Sequence, residues 1–99
     1  IDEKIASCIH RVFQESLTNI MRYARAKKVI ISLKIINEAI VMTIEDDGIG
    51  FKKDAAQSKG TFGILGMRER VRSLNGKFEL IAAPGAGTKI IISLPGNIV

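Results

Sequence analysis

The chain has 99 residues, 46% of them apolar, and a formal net charge of +5. That length allows one domain with a single core, and that apolar content excludes a disordered tail. No apolar run approaches the ~20 residues that cross a bilayer, the single Cys8 excludes an internal disulfide, and the absence of Trp leaves no evident stacking platform for single-stranded nucleic acid. The charge points to an anionic partner: nucleic acid, nucleotide phosphates or an acidic protein surface. The chain opens in helical pattern at Ile1, with no cap-like leader, so we expect a fragment of a longer protein.

Residues 1–26 read as one long helix. Ile5, Ile9, Val12, Phe13, Leu17, Ile20 and Ala24 recur at three- and four-residue steps as an apolar stripe. Arg11, Glu15, Asn19 and Arg22 fall together on the opposite side. Such a face is ordinarily solvated, but Asn19 is a mediocre helix former and suits a residue that binds something. Two strands follow, 29–36 and 39–46, joined by a tight turn at Asn37-Glu38. Both are apolar on more than one side in places, so part of this sheet is expected to be covered twice or to lie beside a further partner.

In the second strand Ile40, Met42, Ile44 and Asp46 share one face. A carboxylate thus ends the strand pointing where the core should be, just before Gly48 and Gly50. Three readings stand at this point: simple Asp-Gly turn chemistry, a cap on local backbone, or an acceptor awaiting a ligand's hydrogen-bond donor. A polar connection rich in Lys and Gly runs from Phe51 to Gly63. A second helix places Ile64, Met67, Val71 and Leu74 on one face and closes at Asn75-Gly76. The last two strands, 77–82 and 88–94, are linked through Pro84-Gly85-Ala86-Gly87. Thr88 shares the core face with Ile90, Ile92 and Leu94, a second small polar residue aimed inward. The order helix, strand, strand, loop, helix, strand, strand predicts one α+β domain, a two-layer sandwich with helices on one face of a sheet.

The glycines at 60, 63 and 66 run into the second helix. They would let backbone N–H groups approach a phosphate at a helix N-terminus, although no P-loop or dinucleotide fingerprint is present. Three stretches together resemble the ATP-binding catalytic domain of sensor histidine kinases, in the GHKL superfamily. Gln14-Glu15-Ser16-Leu17-Thr18-Asn19-Ile20-Met21-Arg22-Tyr23-Ala24 resembles its N box. Asp46-Asp47-Gly48-Ile49-Gly50-Phe51 resembles its first glycine box, and Gly63-Ile64-Leu65-Gly66-Met67-Arg68-Glu69-Arg70, with Gly87-Thr88, its second. The Gly-Met-Arg-Glu-Arg wording resembles the subfamily that pairs with LuxR-type response regulators.

The resemblance implies a Bergerat-type fold over residues 1–99, with a mixed, mostly antiparallel sheet. It implies that Asp46 accepts the adenine amino group, with Thr88 holding a water beside it, and that Gly48 and Gly50 shape the adenine pocket. Asn19 would bind Mg²⁺ through its amide oxygen. Arg22 would contact phosphate, Gly63 and Gly66 would present backbone to the phosphates, and Glu15 would act at the transfer step. Residues 52–62 would form a lid. The implied cofactors are ATP and Mg²⁺. The implied partners are a separate dimerisation domain carrying the phosphoacceptor histidine and, through it, a LuxR-type response regulator. A cytoplasmic, monomeric fragment is expected, with no direct nucleic-acid or membrane contact. Two positions depart from the pattern: Tyr23 where many relatives carry His, and Asp47 where Asn is frequent. His10 reads as an ordinary helix-face residue. The competing readings are a GHKL-type serine kinase, a nucleotide-binding module without kinase activity, and a small basic nucleic-acid-binding domain.

Overall fold

The computed structural model describes residues 2–49, 63–82 and 85–96, with the side chains of Tyr23 and Ala24 outside that description. Helix α1 spans Glu3–Asn19 and continues as a π-helical turn, Ile20–Ala24. Strands β1 (Val29–Ile36) and β2 (Ala39–Asp46) follow, then α2 (Ile64–Ser73), β3 (Lys77–Ala82) and β4 (Thr88–Pro95). The strands form one sheet in the order β1-β2-β4-β3, and each pairing is antiparallel. This is the expected α+β two-layer arrangement, except that the sheet, expected to be mixed, is antiparallel throughout the described strands because each strand pairs only with antiparallel neighbours.

The termini of the helices follow local chemistry. Asp2 caps α1 by accepting the Lys4 N–H at 2.7 Å, an interaction typically worth about 1 kcal/mol. The single helix expected over 1–26 is instead wound in two ways. After Asn19 the winding loosens to π geometry, and Arg25 ends it in the left-handed region at φ 51°. Slower winding rotates Arg22 away from the line set by Arg11, Glu15 and Asn19. At the end of α2, Asn75 is left-handed (φ 62°), its N–H donates to Arg72 O, and the Gly76 N–H donates to Val71 O at 2.9 Å. That pair of bonds is a Schellman motif. Gly76 is needed for space: a Cβ there would meet Leu94 Cδ2 at 2.6 Å and Ser93 O at 2.7 Å.

The core lies between α1, α2 and one face of the sheet. Ile40, Met42 and Ile44 of β2 face Leu94, Ile92 and Ile90 of β4 in register, and all six are buried with Ile5, Cys8, Val12, Ile64, Met67 and Val71. Burying each such large aliphatic side chain stabilises by roughly 1.5–3 kcal/mol. The apolar stripe read for α1 is rotated slightly: Cys8 and Ser16 are buried with Ile5 and Val12, while Ile9, Phe13 and Ile20 pack at the margin. Ser16 keeps its hydroxyl partnered by donating to Met67 Sδ at 3.7 Å.

Strand β1 is different. It lies at the sheet edge, and Ile31, Leu33 and Ile35 sit across from Ile44, Met42 and Ile40 on the core side. They are nevertheless exposed, Leu33 by 58% and Ile35 by 76%, as are Ile30 and Ile36 on the other face. The doubly apolar pattern of β1 therefore lies beyond the cover that the two described helices provide.

Candidate functional site

Two clusters of expected site residues emerge. The first lies where β2 ends and β4 begins. Asp46 pairs directly with Thr88 across the sheet, so the two inward polar residues are neighbours. Asp46 is only 5% exposed, and its Oδ1 accepts the Gly48 N–H at 2.8 Å. The backbone-cap reading is thus correct. Yet backbone bonds do not offset the burial. Desolvation holds the Asp46 carboxyl above its usual range, backbone bonds from Gly48 and Thr88 pull it back, and the negative charges of Asp47 and Glu45 push it further up. The arrangement suits a ligand that donates hydrogen bonds to this carboxylate.

Gly87 makes the cluster possible. Its φ of 76° is left-handed, and a Cβ there would fall on the Asp46 carbonyl oxygen. Only glycine lets β4 enter beside Asp46 at this distance. The Gly85 N–H donates to Ile49 O, tying the chain before β4 to the chain after β2.

The second cluster lies between the helices. Gly63, left-handed at φ 65°, packs so closely on Glu15 that a Cβ there would fall on the carboxylate. A cleft of about 220 Å³ runs along this seam, lined by Arg11, Gln14, Glu15, Gly63, Gly66, Met67 and Arg70. Gly63 opens α2 without a side-chain cap, so the first-turn N–H groups lack an intrahelical partner and retain donor capacity toward an anion. Gly66 is exposed and a Cβ there would meet nothing within 4 Å, so packing does not require that glycine. Asn19 is half-buried at the end of α1 and Arg22 is exposed on the π turn. Gly50 and the expected lid at 52–62 lie outside the described residues. His10 is exposed on α1.

Three side chains to which the sequence reading gave no role stand out in the structure. Arg11 and Arg70 both line the Glu15 cleft; helical periodicity could not show the helices meeting there. Asp47 is the third. Its Oδ1 accepts the backbone N–H groups of Lys27 at 2.8 Å and Lys28 at 2.9 Å, which hold its carboxyl below the usual range.

The sequence from 5 to 98 matches the family described as histidine kinase-, DNA gyrase B-, and HSP90-like ATPases. The chain belongs to that family. Its relatives include a sensor-like histidine kinase of Chloroflexus aurantiacus, 34% identical over 96% of this chain and 17% of that protein. Sensor histidine kinase LiaS of Bacillus subtilis is 33% identical over 96% of this chain and 26% of its own length. Among solved structures, the histidine kinase domain of a blue-light activated histidine kinase from Erythrobacter litoralis matches with a TM-score of 0.78 at 25% identity. That match covers 93% of this chain and 48% of the other. The chain therefore spans about a quarter or less of those two full-length sensor kinases. The two clusters fall on the histidine-kinase boxes read from the sequence. Among the described residues no helix is long and apolar enough to cross a membrane, and no group of three or more His, Cys, Asp or Glu residues is placed to hold a metal.

Proposed function

We propose that this domain binds Mg-ATP and donates the γ-phosphoryl group to a histidine on a separate dimerisation domain, in two-component signalling. The observation that carries the proposal is Asp46: a carboxylate buried at a strand end, held only by backbone bonds from Gly48 and Thr88 and kept costly to ionise. An adenine amino group would supply the missing donor, with Thr88 beside it to hold a water. Gly48 and Gly50 would then shape the pocket for the base, as the resemblance implies.

The phosphates would extend toward α1 and α2. There the first-turn N–H groups of Gly63 and Gly66 would supply positive potential without a bulky side chain, and Arg22, from the π turn, would add a phosphate contact. Magnesium fits the donor set through Asn19: a hard cation that keeps most of its ligands from water and phosphate oxygens needs one amide oxygen, not a carboxylate cage. The cation would supply charge neutralisation. Glu15, in the cleft between the helices, would take the proton that the accepting imidazole loses as its nitrogen bonds to phosphorus and the bond to ADP breaks. Positioning and charge stabilisation would account for most of the catalysis. The accepting histidine would belong to the dimerisation domain, with His10 an ordinary residue of the exposed face of α1. A LuxR-type response regulator is the downstream partner in this proposal, and the domain works in the cytoplasm as a monomeric unit.

Calorimetric titration with a non-hydrolysable ATP analogue, with and without Mg²⁺, tests the reading. One-site binding that Mg²⁺ strengthens is expected. Asp46→Ala should abolish it in a folded domain, and retained affinity would refute the adenine assignment. Asn19→Ala should remove the Mg²⁺ response alone. In a protein that includes the dimerisation domain, the transferred phosphate should be acid-labile, as phosphohistidine is; an acid-stable product would favour a serine kinase.

A further inference from the structure

Asp47 has no role in the resemblance and departs from the residue frequent in relatives, yet its carboxylate accepts two backbone hydrogen bonds at the end of β2. It follows the buried Asp46 directly. Its carboxylate accepts from the Lys27 and Lys28 N–H groups at 2.8 and 2.9 Å, and its own N–H donates to Lys28 O at 3.2 Å. Lys27 and Lys28 lie just beyond the π turn that ends α1, the helix that carries Glu15, Asn19 and Arg22. Three hydrogen bonds therefore tie the strand end that holds Asp46 to the chain leaving that helix. The tie is local and exposed, so it adds little to the core, but it spans the two halves of the site.

We infer that Asp47 is a positioning residue that fixes the distance and orientation between the adenine carboxylate Asp46 and the phosphate-side residues Asn19 and Arg22. The inference rests on the nucleotide reading of the preceding subsection. A ligand that touches only the Asp46 half does not need that spacing. A ligand that reaches both halves gains from it, because groups held in place raise the effective concentration of the second contact. Asparagine at 47 would conserve an acceptor oxygen for the same two N–H groups, whereas alanine would remove it.

The test compares adenosine with a non-hydrolysable ATP analogue plus Mg²⁺, below the onset of unfolding, in the wild-type chain, Asp47→Ala and Asp47→Asn. Asp47→Ala should weaken the ATP analogue about tenfold and adenosine less than about twofold, shrinking the ratio of the two affinities. Asp47→Asn should restore most of that ratio. An unchanged ratio in Asp47→Ala overturns the inference, since a purely structural residue would weaken both ligands together or neither. Equal loss in Asp47→Asn and Asp47→Ala also overturns it, because hydrogen-bond acceptance would then not be the basis. Should Asp47→Ala fail to fold, Asp47→Ser, whose hydroxyl can accept one of the two bonds, carries the same readout. Asp46→Ala is measured alongside: if it leaves adenosine binding intact, the adenine reading fails, independently of the tether.

Discussion

The two ends of the sheet use the same backbone device for different purposes. At one end Gly87 lies against the carbonyl oxygen of Asp46; at the other Gly96 lies against that of Glu38, to which its N–H donates at 2.9 Å. Each end also turns the chain through left-handed residues, Gly85 and Gly87 at the first, Asn37 and Glu38 at the second. The Asn37-Glu38 end is closed: a two-residue hairpin joins Ile36 to Ala39, and Gly96 seals it from the far side. The Asp46 end is open, because a buried carboxylate there is bonded only to backbone and has the carboxylates of Asp47 and Glu45 as neighbours. Close glycine packing is thus general strand punctuation. Ligand chemistry requires, in addition, an ionisable group whose burial the protein itself does not offset.

The largest effect should come from breaking the open end. Gly87→Ala forces a side chain into the left-handed region and onto the Asp46 carbonyl, which should destabilise the fold by roughly 3 kcal/mol. It should also weaken the ATP analogue more than stability loss explains, because Asp46 must move. Chemical denaturation and titration of the folded fraction measure the two effects separately. Gly96→Ala should cost about 1–2 kcal/mol, since the added Cβ meets Glu38 O at 2.5 Å. Nucleotide affinity should be unchanged, and a change would mean that the two ends are not independent.

The sequence made the layers legible because strands and helices here bury by period. Ile40, Met42 and Ile44 alternate cleanly, as do Ile90, Ile92 and Leu94, and each set is buried. The inward placement of Asp46 and Thr88 followed from that same alternation and is seen in their direct pairing. Periodicity could not reveal contacts between elements. The meeting of Glu15 with Gly63, the lining of one cleft by Arg11 and Arg70, and the bonds from Lys27 and Lys28 to Asp47 all depend on how elements distant in sequence pack. Nor could it reveal the π turn after Asn19, which has no strong residue signature and rotates Arg22.

The pH dependence of the open end offers a finer test, because adjacent carboxylates there are shifted in opposite directions. The folded-state pKa of Asp46 is raised, so its ionisation opposes folding; that penalty is absent below the ordinary carboxylate pKa and complete above the raised one. The folded-state pKa of Asp47 is lowered, so its contribution to stability is complete above the ordinary value and is lost as pH falls through the lowered one. Asp46→Asn should therefore gain stability relative to wild type near pH 7, with the gain fading toward pH 3. Asp47→Asn should lose stability near pH 7, with the loss fading on acidification. Urea midpoints across that range would show the two difference curves bending in opposite senses. Curves that bend the same way would remove the contrast between the buried and the tethered carboxylate.

The smallest effect belongs to the closed end. Glu38 holds φ 66° after Asn37 at φ 50°, the geometry of a two-residue hairpin turn that prefers glycine second. Glu38→Gly removes the left-handed strain of a side chain but adds backbone freedom to the unfolded chain. The first effect should exceed the second, leaving a net stabilisation of about 0.5 kcal/mol. The gain should appear as a higher denaturation midpoint with an unaltered slope and unaltered nucleotide affinity. Destabilisation would mean that the Glu38 side chain contributes more than its strained backbone loses, and the hairpin end would then no longer serve as a purely conformational counterpart to the Asp46 end.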